Sequence, residues 1–223
     1  METHNTLTKD DCQIKLGQEA DNYHTGIIGT SGSGKTEWLF QLIRQMKIAI
    51  IFDTGAEFNN KYFVRTKDII DFWEKWNDGY TKLVYTPSEK GNHLSELANI
   101  IHQFYMLRHE TFPHRVHICI PEISTYAVQM GLVHPEIQWL FKQGRKYAID
   151  AVYDTQRIAD TNKIVIQETA YFYIFQQFGK DRERVVEYFP EIERYIDELD
   201  TYEFLLWVPK SKKLTIYNKL PYE

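Results

Sequence analysis

Short apolar runs alternate with stretches of helical periodicity from Tyr23 almost to the end of the chain. Tyr23–Ile28 is apolar at its end and reads as a buried parallel strand. After it Trp38, Leu39, Leu42, Ile43 and Met46 share one side of a 3.6-residue period, which predicts a helix ending near Lys47. Ile48–Asp53 is a continuous apolar strand ending in a carboxylate, and Thr54–Phe58 leaves it by a turn. Helical spacing returns at Ile69, Ile70, Phe72, Trp73 and Trp76, followed by a strand at Lys82–Tyr85 that Pro87 closes. A further helix covers Leu94–Leu107, and Val116–Ile120 is the next buried strand. A helix around Pro135–Lys146 leads into a strand over Ala148–Tyr153, and Tyr171–Phe175 makes another. Lys180–Glu198 reads as two helices split at Pro190, with charged, solvated outer faces. The chain closes on two strands, Tyr202–Val208 and Leu214–Tyr217, which form a terminal β-hairpin within residues 201–219. Before Tyr23 the sequence is polar except for an alternating Cys12–Leu16, so residues 1–22 are expected to form an edge strand or arm. Strands that alternate with helices predict an α/β fold: a mainly parallel sheet, helices on both faces, and a C-terminal β-hairpin.

Composition narrows this reading without redirecting it. A chain of 223 residues suits one α/β domain with a full core, and 43% hydrophobic with 26% charged residues is a globular balance. No apolar run approaches membrane-spanning length, and Met1–Asn5 lacks the basic and apolar regions of a signal peptide, so a soluble intracellular protein is expected. The two cysteines, Cys12 and Cys119, are expected to be idle thiols rather than a disulfide framework. The net charge of −5 argues against a surface coated with nucleic acid but leaves room for a local basic patch. The eight histidines show no metal-ligand spacing.

Chemistry concentrates first in Gly29, Thr30, Ser31, Gly32, Ser33, Gly34, Lys35 and Thr36, which fit G-x-x-x-x-G-K-[ST] at every fixed position. Glycines let the backbone curl until successive N–H groups face the β- and γ-phosphates of a nucleotide. Lys35 supplies a positive charge to those phosphates, and the Thr36 hydroxyl is a hard oxygen ligand suited to Mg²⁺. The strand before the loop and the helix after it, whose N-terminal dipole favours an anion, complete a triphosphate site.

Hydrolysis needs a group that orients or deprotonates water, and Glu122 stands just past the end of a buried strand, where such a carboxylate belongs. A Walker B strand ordinarily ends in Asp then Glu, yet Pro121 takes the Asp place. Either Thr36, the phosphates and water hold the metal alone, or a carboxylate such as Asp53 or Asp154 compensates. Gln156 ends the following strand, where an amide that donates and accepts can position water or sense the γ-phosphate.

The order of these pieces resembles the FtsK/HerA superfamily of P-loop ATPases, and within it the small genome-packaging ATPases of tailless icosahedral viruses with internal membranes. The likeness rests on the phosphate loop, Phe52–Phe58, Ile120–Glu122, Gly144–Tyr147, Thr155–Arg157 and the closing Tyr202–Leu206. It implies a RecA-like domain in a homo-oligomeric ring, expected to be a hexamer, that uses ATP and Mg²⁺ to pull double-stranded DNA through its centre. It also implies an arginine finger reaching a neighbour's nucleotide, with Arg145 the first candidate and Arg157 the second. Capsid or membrane vertex proteins as partners, and a place in the host-cell cytoplasm or with the virion, follow from the same likeness. For DNA phosphates the basic candidates are Lys142, Arg145, Lys146, Lys210, Lys212, Lys213, Lys61 and Arg65.

Two other functions remain open on sequence alone. One is a nucleotide-dependent switch or assembly scaffold without sustained turnover, suggested by the missing Walker B Asp. The other is a nucleotide or polynucleotide kinase, which the phosphate loop permits and the lack of an arginine-rich lid disfavours.

Overall fold

The computed structural model describes residues 4–5, 23–56, 58, 61–87, 93–109, 115–127 and 133–217. Its strands are β1 (His4–Asn5), β2 (Thr25–Ile28), β3 (Ala49–Phe52), β4 (Val64–Thr66), β5 (Lys82–Tyr85), β6 (Val116–Ile120), β7 (Ile149–Thr155), β8 (Tyr171–Phe175), β9 (Phe204–Val208) and β10 (Lys213–Tyr217). Its α-helices are α1 (Lys35–Gln45), α2 (Ile69–Asn77), α3 (His93–His109), α4 (Pro135–Gln143), α5 (Lys163–Glu168), α6 (Gly179–Tyr188) and α7 (Glu193–Ile196).

Among the described residues the strands form one ten-stranded sheet in the order β1-β10-β9-β8-β2-β7-β6-β3-β5-β4. Pairings are parallel except at β8–β9 and β9–β10, where the terminal hairpin extends the sheet. The strand after the hairpin in this order, β1, lies earlier than the alternating Cys12–Leu16, which falls outside the described residues.

Period-two alternation divides the core between the two faces. Ala49, Ile51, Cys119, Val152, Tyr173 and Phe175 point to the side covered by Trp38, Leu39, Leu42 and Ile43 of α1. Ile50, Phe52, Ile118, Ile120, Ala151 and Tyr153 point to the other, where α3 and α4 contribute Leu97, Ile100, Phe104, Leu140 and Phe141. Phe172 and Ile174 meet Val185 of α6 and Ile196 of α7 on that same side. Helices therefore cover both faces, as the periodicity predicts. Cys119 is a buried free thiol.

Three differences from the sequence reading are local. The strand β4 is only three residues long, too short to show alternation, and α5 is a six-residue helix hidden between two strands. The helix expected over Pro135–Lys146 stops at Gln143 and tightens into a 3-10 turn over Gly144–Tyr147. Gly144 is needed there, because a Cβ would stand 2.5 Å from the Ile149 carbonyl oxygen.

At the N-terminal end of the parallel strands lies a buried polar cluster. The Ala151 N–H donates to His24 Nδ1 (2.9 Å), so the ring is neutral and its Nε2–H donates to the Phe141 carbonyl (3.0 Å). Burial lowers the His24 pKa to about 4, against the opposing pull of Asp150. Asp150, fully buried, accepts from the Tyr23 N–H and pairs with Arg115, whose guanidinium lies 4.4 Å over the Tyr23 ring.

Candidate functional site

Four neighbouring strand ends build the site. β2 lies between β7 and β8, and β6 lies on the far side of β7. The loop leaving β2 is thus flanked by the ends of β7 and β8, while the residue after β6 sits one strand further along. Ligands of open α/β sheets gather at such carboxyl ends.

The phosphate loop is tied to both flanking strands. Gly29 N–H donates to the Thr155 carbonyl (3.3 Å), and Thr30 N–H to the Gln176 carbonyl (3.4 Å). Thr30 Oγ1 donates to the same Gln176 carbonyl at 3.3 Å. Gly32 and Gly34 take φ values of 78° and 102°, a left-handed region that costs other residues energy. At Gly34 there is a second reason for glycine: a Cβ would come within 2.7 Å of Tyr202 Cδ1. Gly29 is equally enclosed, with Ser33 Oγ at 2.5 Å and Phe175 Cβ at 2.7 Å from the position of a Cβ. Lys35 is buried, and its Nζ donates to the Thr30 carbonyl at 3.1 Å. Thr36 is exposed on the first turn of α1.

Glu122 follows β6 with φ 47°, left-handed backbone that a non-glycine residue adopts only where its surroundings hold it. The hold is visible: Glu122 N–H donates to Asp154 Oδ1 at 2.6 Å, and Gln156 Nε2 donates to Glu122 Oε1 at 2.9 Å. Glu122, Asp154 and Gln156 are therefore one hydrogen-bonded unit across the ends of β6 and β7. Its charge reaches Lys35, whose pKa is lowered by burial while Asp154 and, more weakly, Glu122 pull it back up. Asp53 goes elsewhere: its Oδ2 accepts from the Phe58 N–H and the Arg65 guanidinium, both at 3.0 Å. Of the two carboxylates considered as substitutes for an Asp at Pro121, the structure joins Asp154 to the site and gives Asp53 to Arg65.

Residues 12–72 match the family model of the type IV secretion-system coupling protein DNA-binding domain. No match is found among curated proteins. The genome packaging NTPase B204 of Sulfolobus turreted icosahedral virus 2, in complex with sulfate, superposes with a TM-score of 0.74 at 16% identity, over 91% of this chain and 98% of that one. B204, the DNA-packaging ATPase from Sulfolobus turreted icosahedral virus, gives 0.72 at 19% identity, over 92% and 100%. The pCW3 conjugation coupling protein TcpA, in its monomer form with ATPγS, gives 0.61 at 13% identity, over 96% and 69%.

The fold is that of the genome-packaging P-loop NTPases. On this packaging-NTPase fold the remaining sequence candidates fall in separate places. Arg145 is exposed on the 3-10 turn before β7, at the opposite end of that strand from Gln156. Seven strand residues at a rise of about 3.3 Å separate the two by roughly 23 Å. Arg145 therefore cannot reach the phosphate loop of its own chain. Arg157 is on the loop's side but is engaged, its Nε donating to Asp181 (3.0 Å) and its Nη1 pairing with Asp160 (3.3 Å).

The basic residues also divide. Lys142, Arg145 and Lys146, with Lys210 and Lys212 in the β9–β10 turn and Lys213 at the start of β10, lie at the end of the parallel strands away from the phosphate loop. Lys61 lies over Tyr62, whose ring packs on Arg44 in the last turn of α1, away from the phosphate loop, while Arg65 of β4 is committed to Asp53. Sequence reasoning missed the contacts of Tyr202, Gln176 and Thr155 with the loop. The only sequence signal for Thr155 and Tyr202 was their place in the segments that carry the family likeness. Among the described residues no helix is long and apolar enough to cross a membrane, and no cluster of His, Cys, Asp and Glu suits a metal by itself.

Proposed function

We propose that this protein is an ATP-driven double-stranded DNA translocase, a genome-packaging motor working as a homo-oligomeric, hexameric ring. The observation that carries the proposal is the unit Glu122–Asp154–Gln156 beside Lys35, which supplies the parts of a hydrolytic phosphoryl-transfer site within one chain. The phosphate loop backbone and Lys35 hold the β- and γ-phosphates. Glu122 takes the proton of the attacking water, and the Gln156 amide fixes the Glu122 carboxylate and follows the γ-phosphate. The donor set fits Mg²⁺: the Thr36 hydroxyl is available at the head of α1, and the Asp154 carboxylate stands where Pro121 offers nothing. The ion, when bound with ATP, neutralises charge that develops on the phosphates. Since Arg145 is about a strand's length from its own loop, its use as an arginine finger requires the neighbouring subunit's nucleotide.

The family model over residues 12–72 and the fold shared with packaging NTPases support DNA as the partner. The two groups of lysines at the far end of the sheet offer it phosphate contacts. Capsid or vertex proteins, host cytoplasm and virion association belong to the same proposal. ATPase rate with and without double-stranded DNA tests it: stimulation by DNA supports the motor. A low rate that DNA does not change returns the switch reading, and phosphate transfer to an added nucleoside returns the kinase.

A further inference from the structure

The side chain of Gln177 is buried, with 4% exposure, and among the described residues neither its amide nitrogen nor its amide oxygen finds a hydrogen-bond partner. An amide carries donors and an acceptor that a folded protein ordinarily satisfies, so a buried amide without protein partners is suited to receive another molecule's polar edge. Its position says which molecule. The β8–β9 ladder ends with Phe175 opposite Phe204, so Gln177 and Tyr202 each stand two residues beyond the last rung. Phe175 and Tyr202 both touch the phosphate loop, their ring carbons lying 3.4 and 2.7 Å from where a Gly34 Cβ would be. Strand alternation puts Gln177 on the same face as Phe175, the α1 face, while Gln176 turns the other way to donate to the Leu199 carbonyl (2.9 Å).

From these relations we infer that Gln177 is the base-recognition residue of the nucleotide site, its amide pairing with the edge of adenine and Tyr202 supplying an aromatic wall beside it. Adenine presents an N–H donor next to a ring-nitrogen acceptor, the complement of an amide. A purine face packs on an aromatic ring whatever its substituents, so Tyr202 adds affinity and Gln177 adds selectivity. Tyr202 holds a left-handed backbone with φ 70°, which places its ring against Gly34 instead of continuing the strand.

The inference rests on the phosphate loop binding a nucleotide, and the test separates the two. Calorimetric affinities of the full chain are measured for ATP, for purine riboside triphosphate, which lacks the 6-amino group, and for inorganic tripolyphosphate. The wild-type protein should prefer ATP to purine riboside triphosphate by about tenfold or more, because a buried amide left unpaired penalises the poorer ligand. Gln177→Leu and Gln177→Glu should both flatten that preference and leave tripolyphosphate affinity as it was. Equal binding of the two purine triphosphates by the wild-type protein overturns the base-recognition role while leaving the phosphate site intact. So does an undiminished preference in either variant. Failure of the wild-type protein to bind any of the three overturns the phosphate-site reading and this inference with it.

Discussion

Gln156 and Glu122 are joined by a 2.9 Å hydrogen bond from the amide nitrogen of one to the carboxylate of the other, across the ends of adjacent strands. The bond gives the carboxylate a fixed direction, and the left-handed backbone at Glu122, pinned through its N–H by Asp154, fixes its base. A group that must meet a water molecule at a phosphate needs such orientation before the substrate arrives.

In the proposed mechanism, replacing Glu122 by Gln keeps the shape and removes the base. ATP binding should persist while turnover drops by roughly 10²–10⁴. Single-turnover hydrolysis measures the chemical step, and a rate equal to wild type would move the base to another carboxylate.

Lys35→Ala removes the buried positive charge at the phosphate loop, and no other loop residue carries one. Loss of measurable ATP binding by calorimetry is expected, in a protein whose circular dichroism matches the parent. Wild-type affinity in this variant would remove the nucleotide site from the proposal.

Asp154 and Asp53 make opposite predictions. Asp154→Asn should raise the Mg²⁺ concentration needed for half-maximal ATPase activity. Asp53→Asn should leave that requirement alone and lower thermal stability, since Asp53 holds Arg65 and the Phe58 N–H. Magnesium titrations of both variants decide the matter, and a requirement that rises only for Asp53→Asn would reverse the assignment.

A subunit carrying Arg145→Ala should bind ATP without hydrolysing it if the finger acts between neighbours. Mixing such subunits with Lys35→Ala subunits creates junctions at which an intact arginine meets an intact loop. Recovery of ATPase activity is expected in mixtures shown to co-assemble, and its absence there would count against action in trans.

Acid should weaken the fold through His24. Its folded pKa of about 4 lies below the ordinary 6.5, so the unfolded chain takes up the proton first as pH falls. The stability it contributes is complete above pH 6.5 and is lost through the window down to about 4. Between pH 7 and pH 5 that loss amounts to about 2 kcal/mol. His117, also held below its ordinary value by burial, acts in the same direction. Urea unfolding at the two pH values should show the decrease, and His24→Gln should show a smaller one; an equal decrease would assign the acid sensitivity to other groups.

Much of the fold was legible because most elements are long enough to show a period. Trp38, Leu39, Leu42 and Ile43 mark α1 without ambiguity, and the apolar runs of β3, β6 and β8 have the continuous pattern of strands covered on both faces. The strand β4 and the helix α5 were not legible, because three and six residues hold too little of a period. The phosphate loop announces itself by spacing, and so does the strand-end position of Glu122. What sequence could not decide was Asp154 against Asp53, since both end apolar strands and only the strand order shows that β7, not β3, adjoins the loop strand. The contact of Tyr202 with Gly34 was illegible for a related reason: it joins distant parts of the chain through the antiparallel turn-back of β9 on β8.

β7 is buried along its whole length and hydrogen-bonded to a neighbour on each side, with the 3-10 turn of Arg145 at one end and Gln156 at the other. Such a strand works as a strut. It neither shortens nor bends by itself, so the Arg145 turn and the Gln156 end keep one fixed separation. Any partner that engages the Arg145 end therefore meets a surface whose distance from the strand end at Gln156 is set by seven extended residues.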